Sequence, residues 1–206
     1  MKYLWLSVLV IILLILVYTF LPSGADKKDE YRQSILEERE KIAEFMENSP
    51  DSPFRKKGIV QFDGLKYFDV DPAFSVEAKI SQFEHPEQII LTLSDGSREK
   101  YFKYAAAEFE LSGKSQRLVL LKSEAYWNEN RVFLPFYDET STIESYGGGR
   151  YLDITYSGGT VATIDFNLCY NPYCAYTDTY RCPFPPQENQ VTVRVTAGEK
   201  NYRKDH

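Results

Sequence analysis

The chain has 206 residues, which is enough for one ordinary domain with an appendage. Its formal net charge is −6 and no run of five or more like charges occurs, so we expect no nucleic-acid partner. Aromatic residues make up 15% of the chain and can fill a substantial core. With only two histidines, one of them the last residue, histidine-based catalysis is disfavoured.

The first predicted element is an uncharged apolar run over residues 4–21, LWLSVLVIILLILVYTFL. As an α-helix these residues would extend about 27 Å, close to the hydrocarbon thickness of a bilayer. The run is longer than the apolar part of most signal peptides, which favours an uncleaved transmembrane anchor over residues 1–25. A cleaved signal peptide remains the alternative, because small residues follow the run at Ser23, Gly24 and Ala25.

Basic residues flank both ends of this run, with Lys2 before it and Lys27 and Lys28 after it. The charge bias of the flanks therefore does not fix the orientation by itself. A two-residue tail ahead of an apolar run usually stays inside the cell while the rest is exported. We therefore expect a single-pass protein of the bacterial cytoplasmic membrane whose C-terminal domain is extracytoplasmic, with the membrane as its partner.

Residues 26–50 form a predicted juxtamembrane α-helix. Its apolar residues, such as Ile35, Ile42 and Met46, recur at helical spacing and form a narrow stripe. A proline at position 50 ends the pattern, because proline lacks the amide hydrogen that a helix interior needs. The narrow stripe indicates a helix that lies on the following domain or links it to the membrane.

Residues 51–206 form a predicted β-rich domain, since polar and apolar residues alternate and short turns follow each other closely. Asp95 and Gly96 are typical of a hairpin turn, and the three alanines at 105–107 are a place for a β-bulge. No strand–helix alternation occurs, so we predict a mainly β fold, an antiparallel sandwich or barrel. The predicted strands are residues 74–80, 88–93, 98–104, 105–111, 117–121, 131–136, 151–155, 161–166 and 191–196.

The last third of the chain carries three conspicuous stretches, FLPFYDETSTIESYGGGRYLDI, DFNLCYNPYCAYTDTYRCPFPPQEN and AGEK. Residues 133–200 resemble an uncharacterised bacterial and archaeal family, domain of unknown function 1684. This chain has Leu168 and Cys169 where the family commonly has Arg-Ala. The resemblance implies no known activity. The matching positions are Phe136, Asp138, Thr140, Tyr146, Gly147, Gly149, Arg150, Tyr151, Leu152, Asp165, Phe166, Asn167, Tyr170, Asn171, Pro172, Cys174, Cys182, Pro183, Pro185, Pro186, Glu188, Asn189 and residues 197–200.

Cys174 and Cys182 invite three interpretations. A zinc site prefers closely spaced cysteine pairs, and here only the three cysteines and His85 would supply four ligands. A redox pair more often has two residues between its cysteines. An extracytoplasmic location permits a disulfide, and closing a loop of this size stabilises a fold by about 2.5 kcal/mol. We therefore predict a structural disulfide between Cys174 and Cys182, a free buried Cys169, and no metal or other cofactor.

Four polar residues are candidate catalytic groups: Arg150, Asp153, Asp165 and Asn167. Two carboxylates with a guanidinium and an amide can act as acid and base, or can bind a hard cation such as calcium. The alternative is structural. Asp and Asn at strand ends cap turns by bonding their own backbone, and Arg150 would pair with one of them.

The candidate ligand-binding residues are Tyr146, Arg150, Tyr151, Tyr170 and Asn171. The glycines at 147–149 are typical of a turn with positive φ. We predict a non-catalytic domain that binds a ligand or partner at the cell envelope. An enzyme, hydrolase-like or metal-assisted, that uses the four polar candidates is the alternative. Other aromatic residues that can line a pocket are Tyr126, Trp127, Phe133, Phe136, Tyr173 and Tyr176.

Overall fold

The computed structural model describes Tyr3, Trp5, Ile11 and residues 24–55 and 62–202. Most of the predicted membrane-spanning run at residues 4–21 therefore falls outside the described residues. Among the residues that are described, no helix combines the length and the apolar character needed to cross a bilayer.

Helix α1 spans Gly24–Asn48. Its C-terminal carbonyl groups, which have no partner within a helix, are bonded by the chain that follows. Ser52 Oγ donates to the carbonyl oxygen of Met46 at 2.5 Å, and Arg55 Nε donates to that of Glu47 at 2.7 Å. The helix thus ends in a turn that is held by side chains, and the two prolines of that turn prevent its continuation.

The part of the chain that the structure describes contains one antiparallel sheet, nearly closed as a barrel, with strand order β5-β4-β3-β2-β1-β6. This confirms the predicted mainly β, antiparallel fold. Of the two predicted architectures the barrel agrees with the structure, because one curved sheet surrounds one core. The strands are β1 Ser75–Thr92, β2 Arg98–Leu111, β3 Lys114–Lys122, β4 Arg131–Phe136, β5 Arg150–Thr155 and β6 Val161–Asp165.

Hairpin turns and one extra residue shape the first three strands. Asp95 Oδ1 accepts a hydrogen bond from the Ser97 backbone at 2.9 Å, and Gly96 has a φ of 81°. These features make the tight turn that the sequence predicts between β1 and β2. The predicted bulge at the three alanines lies one residue earlier, because Tyr104 has no partner in the register between β2 and β3.

The barrel interior is filled by alternate residues of the strands, as period-two patterning requires. In β4, for example, Val132, Leu134 and Phe136 are completely or almost completely buried. Phe166, which follows β6, packs edge-on against Phe136 with ring centroids 5.2 Å apart. The segment after β6 therefore closes the gap between the two ends of the sheet.

The prediction of a strand at residues 191–196 is wrong. Val191, Val193 and Val195 are buried alternately in the barrel interior, but the segment joins no neighbouring strand. Part of its backbone bonds the chain that follows β4, since the Val191 amide donates to the Tyr137 carbonyl oxygen at 2.8 Å and the Glu139 amide donates to that of Val193 at 3.3 Å. Side chains also bond its backbone. The Thr192 amide donates to Gln116 Oε1 at 3.0 Å, and the Val195 amide donates to Asp138 Oδ2 at 2.8 Å. The segment is buried in the alternating pattern of a strand, but its hydrogen bonds do not form the regular ladder of a strand.

Helix α1 packs on the barrel through the narrow stripe of its sequence. Ile35 and Met46 are buried, and so is Arg39, which is 8% exposed. Arg39 donates to the carbonyl oxygens of Phe68 at 3.0 Å and Asn167 at 3.2 Å. The helix is therefore attached to the domain by polar bonds in its middle and by apolar contacts on either side.

Candidate ligand-binding groove

A groove with a volume of about 1170 Å³ lies on the outer face of the sheet. Its floor comes from residues that alternate with the interior ones. The ring of Phe133 in β4 lies 5.9 Å from that of Tyr101 in β2 and 4.8 Å from that of Tyr151 in β5. Tyr170 continues the row, 5.9 Å from Tyr151. We call this volume the aromatic groove, and its floor is Tyr101, Phe133, Tyr151 and Tyr170.

The loop at residues 170–183 forms one wall of the aromatic groove. Tyr170 and Tyr151 exchange two backbone hydrogen bonds, at 2.9 and 3.0 Å, so the loop starts as an extension of the sheet. The hydroxyl of Tyr151 donates to the carbonyl oxygen of Pro183 at 2.5 Å and holds the end of the loop. Between these points Tyr180 lines the groove, and its buried hydroxyl has no hydrogen-bond partner among the described residues.

The opposite wall is the C-terminal half of α1. Ile42, Phe45 and Met46 give it an apolar surface, and Glu38 and Lys41 stand at its edge. Phe45 is 38% exposed, which leaves part of its ring available for contact. The aromatic groove is therefore assembled from three separate parts of the chain: the helix, the sheet and the C-terminal loop.

The rim of the aromatic groove carries charges of both signs. Asp153 accepts a hydrogen bond from the Tyr170 hydroxyl at 2.7 Å and lies 3.8 Å from the guanidinium of Arg131. Burial, together with the nearby Asp153 carboxylate, raises the pKa of Tyr170. Tyr170 thus remains a hydrogen-bond donor at neutral pH. Arg181 lies 4.0 Å from Asp95 on the same rim.

Glu199 is the buried carboxyl group at the inner end of the groove, and only 1% of the residue is exposed. The amide groups of Asn171 donate to it at 2.9 Å, and the Tyr176 hydroxyl donates at 2.8 Å. Burial raises the pKa of Glu199 to about 7 even though these bonds favour its charged form. The group therefore changes its charge near neutral pH.

Arg150, a candidate for both catalysis and ligand binding, lies in the core and is 1% exposed. Its Nη2 donates to Asp138 Oδ1 at 3.1 Å and to the Val195 carbonyl oxygen at 2.8 Å. Its Nη1 donates to the carbonyl oxygens of Ala197 at 2.5 Å and Glu199 at 3.2 Å. These bonds hold the C-terminal segment in the barrel, in place of a neighbouring strand.

Asp165 and Asn167 lie together beneath helix α1. Asp165 Oδ1 accepts bonds from the backbone and the side-chain amide of Asn167, both at 3.0 Å. Tyr31 of the helix donates to Asp165 Oδ2 at 2.7 Å and accepts from Asn167 at 2.9 Å. Asn167 also bonds both backbone groups of Asp71. This pair caps a turn and receives the helix.

The four catalytic candidates do not converge. Asp165 and Asn167 bond each other, Asp153 lies on the rim of the groove, and Arg150 pairs with Asp138 in the core. Of the ligand-binding candidates, Tyr151 and Tyr170 line the aromatic groove. Asn171 is fully buried and bonds Glu199, and Tyr146 lies beside Cys174.

All three cysteines of the chain lie within the described residues and carry free thiols. The predicted disulfide between Cys174 and Cys182 is therefore not formed in this structure. The two residues are nevertheless in contact, since the Cys174 backbone amide donates to Cys182 Sγ at 3.2 Å. Cys169 is buried, as predicted, and burial raises the pKa of its thiol to about 11. Over residues 24–55 and 62–202, no three His, Cys, Asp or Glu side chains cluster as metal ligands.

Tyr101, Tyr180 and Glu199 are among the groove residues that the sequence-based candidates lack. Tyr101 stands in a strand whose alternation identifies its face, but its place in a groove depends on β4 and β5. Glu199 belongs to the AGEK stretch, where a lone acidic residue gives no sign of burial. The sequence thus contains a motif at Glu199 but no pattern that singles out the carboxyl group.

The chain is similar to a known protein family and to a protein of known structure. Residues 60–200 match the profile of a family described as protein of unknown function (DUF1684), so the match extends beyond the resemblance at residues 133–200. The chain is also similar to an uncharacterized protein of Haloarcula marismortui whose solution NMR structure is known. The two are 36% identical with a TM-score of 0.65, over 85% of this chain and 96% of the other. No curated protein matches the chain. The chain belongs to the DUF1684 family.

Proposed function

We propose that this protein is a membrane-anchored, extracytoplasmic domain that binds a ligand in the aromatic groove without transforming it. The observation that carries the proposal is the row of four aromatic side chains on the groove floor, at centroid distances of 4.8 to 5.9 Å. Concave, mainly apolar surfaces with a few well-placed polar groups are the usual form of ligand sites.

The dimensions and charges of the aromatic groove define the type of ligand. Its volume of about 1170 Å³ exceeds that of most sites for small molecules, which favours a ligand of several rings or a segment of a polymer. Tyr170, Asp153 and Arg131 offer a hydroxyl oxygen, a carboxylate and a cation side by side. A ligand with an apolar face and polar groups at its edges fits this combination.

Fragment binding tests this proposal. Fluorinated aromatic fragments that carry a carboxylate, an amine or a hydroxyl group would be screened against the full chain in lipid nanodiscs by fluorine NMR. We expect at least one class to bind the native chain and to bind Tyr180→Ala several-fold more weakly, because Tyr180 lines the groove and donates no structural hydrogen bond from its hydroxyl. The polar group of the class that binds identifies the charge that the ligand carries.

Ile143→Ala is the matched control, because Ile143 is 72% exposed and lies outside the groove. It should bind every fragment as the native chain does. Failure of all fragments to bind, or equal binding to Tyr180→Ala and the native chain, would count against the aromatic groove as a ligand site.

The enzymatic alternative has weaker support. Arg150, Asp165 and Asn167 use their polar atoms to hold the backbone, each other and helix α1. Asp153 is the candidate that borders the groove. If the protein were an enzyme that uses Asp153, its activity would be lost in Asp153→Asn while fragment binding persisted. That outcome would replace the binding proposal by a catalytic one.

The proposed location rests on the apolar run at residues 4–21. Protease treatment of intact cells with a permeabilised outer layer tests the location. An extracytoplasmic domain should be degraded without lysis of the cytoplasmic membrane, and a cytoplasmic marker protein should survive in the same sample. Protection of both proteins would reverse the proposed orientation.

A further inference from the structure

We propose that Cys174 and Cys182 form a thiol–disulfide exchange site in which Cys174 attacks a small disulfide and Cys182 resolves the product. This inference does not rest on ligand binding in the aromatic groove, although Cys182 also lines that groove. It differs from the structural disulfide that the sequence predicts, because the bond would form and open reversibly.

The first support is the contact between the two residues. The Cys174 backbone amide donates to Cys182 Sγ at 3.2 Å. Cys174 is half-buried, whereas Cys182 is only 8% exposed. Cys174 is the more exposed of the two, so a small reagent reaches it first, and Cys182 is in contact with it for the second step.

The second support is the polar surroundings of Cys174. The hydrogen bond from Cys182, and those from the hydroxyls of Tyr146 and Ser94, lower the pKa of Cys174 to about 7 against the effect of its burial. The thiolate is the form of cysteine that reacts with disulfides. About half of the Cys174 side chains are then reactive at neutral pH.

Tyr146 is the positioning residue of this site. Its hydroxyl lies 3.6 Å from Cys174 Sγ, and burial raises the pKa of Tyr146, so it donates to a thiolate and does not compete for the charge. The ring fits because Gly148 has no side chain, since a Cβ there would overlap it. Gly149 has a φ of 88°, so the predicted turn is present next to it. The glycine run therefore forms the turn and also leaves space for the ring of Tyr146.

The chemical steps balance with a disulfide of low molecular weight as the oxidant. The Cys174 thiolate attacks one sulfur of that disulfide, forms a mixed disulfide and releases one small thiolate. The Cys182 thiol loses its proton, attacks the Cys174 sulfur and releases the second small thiolate. Two electrons pass from the protein to the small disulfide, and the released thiolates take up the two protons.

Glutathione disulfide is the probe for the test. The full chain in detergent, first reduced, would be incubated with it and followed by intact mass spectrometry. We expect the native chain to lose two hydrogens, Cys182→Ser to accumulate a glutathione adduct on Cys174, and Cys174→Ser to form neither product. Cys169→Ser should react like the native chain, because Cys169 is buried away from the pair.

The pH dependence of the reaction separates an activated thiol from a merely exposed one. The alkylation rate of Cys174 by iodoacetamide should rise with a midpoint near pH 7. In Tyr146→Phe the rate at pH 7 should fall roughly threefold, while the rate well above pH 9 remains unchanged, because a lost hydrogen bond affects the thiolate fraction and not the access. An ordinary midpoint above pH 8 in the native chain would contradict the proposal.

Reversibility is the final requirement. The oxidised chain should regain both thiols when reduced glutathione is present in excess. A bond that forms but resists this excess would be a fixed cross-link, and an absence of any bond between Cys174 and Cys182 would exclude the pair altogether. Either result would overturn the exchange site without bearing on fragment binding in the aromatic groove.

Discussion

Arg150 and Asp138 form an ion pair in which both side chains are at most 1% exposed. In Arg150→Ala, the Asp138 carboxylate would remain buried without its counter-charge, and three backbone carbonyl groups would lose a donor. Removing one partner of such a pair costs about 3–5 kcal/mol of unfolding free energy. Urea unfolding, monitored by tyrosine and tryptophan fluorescence, measures that loss.

The control for this prediction is Arg117→Ala. Arg117 forms an ion pair with Glu108 at 3.5 Å, but both side chains are about half exposed. Its loss should cost less than about 1 kcal/mol, because solvent screens an exposed pair. Similar costs for the two variants would mean that Arg150 does not hold the C-terminal segment.

Glu199 should make the stability of the protein depend on pH. Burial raises its pKa from 4.5 to about 7, so between these values the folded state holds a proton that the unfolded state has lost. Stability from this group is therefore full below pH 4.5 and decreases as the pH rises to about 7, by on the order of 3 kcal/mol. The neighbouring groups with raised pKa values, Tyr67, Tyr176 and Cys169, do not titrate in this range.

The measurement compares the native chain with Glu199→Gln at pH 5 and pH 8. The glutamine side chain would keep the shape of the glutamate without its charge, so the native chain should lose stability relative to the variant as the pH rises. The difference between the unfolding free energies of the native chain and the variant cancels the contribution of other carboxyl groups. A difference that stays constant between pH 5 and pH 8 would show that Glu199 remains in one charge state.

Sequence motifs identify important residues better than they identify the residues that those side chains contact. Arg150 stands out in the sequence, but the prediction that it pairs with one of the candidate Asp or Asn residues is wrong. Its partner is Asp138, a residue twelve positions earlier on a different segment. The choice among Asp138, Asp153 and Asp165 depends on distances in the folded chain, which local spacing does not contain.

Helix α1 is the element whose attachment is most easily tested. Tyr31 bonds both Asp165 and Asn167, and Tyr31→Phe would remove these bonds while the ring remains. We expect docking of the helix to weaken by about 1 kcal/mol, because the half-buried Asp165 carboxylate loses a donor, whereas Asn167 keeps its bonds to Asp71 and Asp165. Hydrogen exchange of the backbone amides in residues 31–46 should become faster, whereas that of β3 should not change.

Gln33→Ala is the control for the helix, since Gln33 is exposed and bonds only Glu37 among the contacts of its side chain in the described structure. It should leave the exchange rates of residues 31–46 as they are. Unchanged rates in Tyr31→Phe would mean that the apolar stripe alone determines docking.

Strands that pair with their neighbours along the chain are predicted well. The bounds of β4 agree with the predicted residues 131–136, since alternation and flanking turns are local properties. The segment at residues 191–196 shows the limit of this reasoning. Its alternation correctly indicates burial, but its hydrogen-bond partners, which include Gln116, Tyr137 and Asp138, are far away in sequence.

The aromatic groove exists only when helix α1, the sheet and the loop at residues 170–183 are packed against each other. Ligand binding and helix docking should therefore be coupled. In Arg39→Ala the helix loses its bonds to Phe68 and Asn167, so fragments that bind the native groove should bind this variant several-fold more weakly. The fluorine NMR screen measures the effect, and undiminished binding would mean that the helix wall is dispensable.

The fold class follows from the sequence, whereas the groove does not. Dense strands with short turns limit the architectures to a few, and one of the two predicted ones is observed. A groove built from Tyr101, Phe45 and Tyr180 joins residues more than 50 positions apart, and no periodicity connects them. Sequence reasoning therefore identifies Tyr151 and Tyr170 but not the surface that they share.

The C-terminal segment held by Arg150 and Asp138 has a consequence for the synthesis of the protein. Val191, Val193, Val195 and Ala197 supply part of the barrel core, and they leave the ribosome after all six strands of the sheet. Until they emerge, the nascent sheet has an unfilled apolar interior and an Arg150 without its carbonyl partners. The order of translation thus makes closure of the barrel a final step, and a chain that stops short of residue 190 would expose its core to any factor that recognises unfinished proteins.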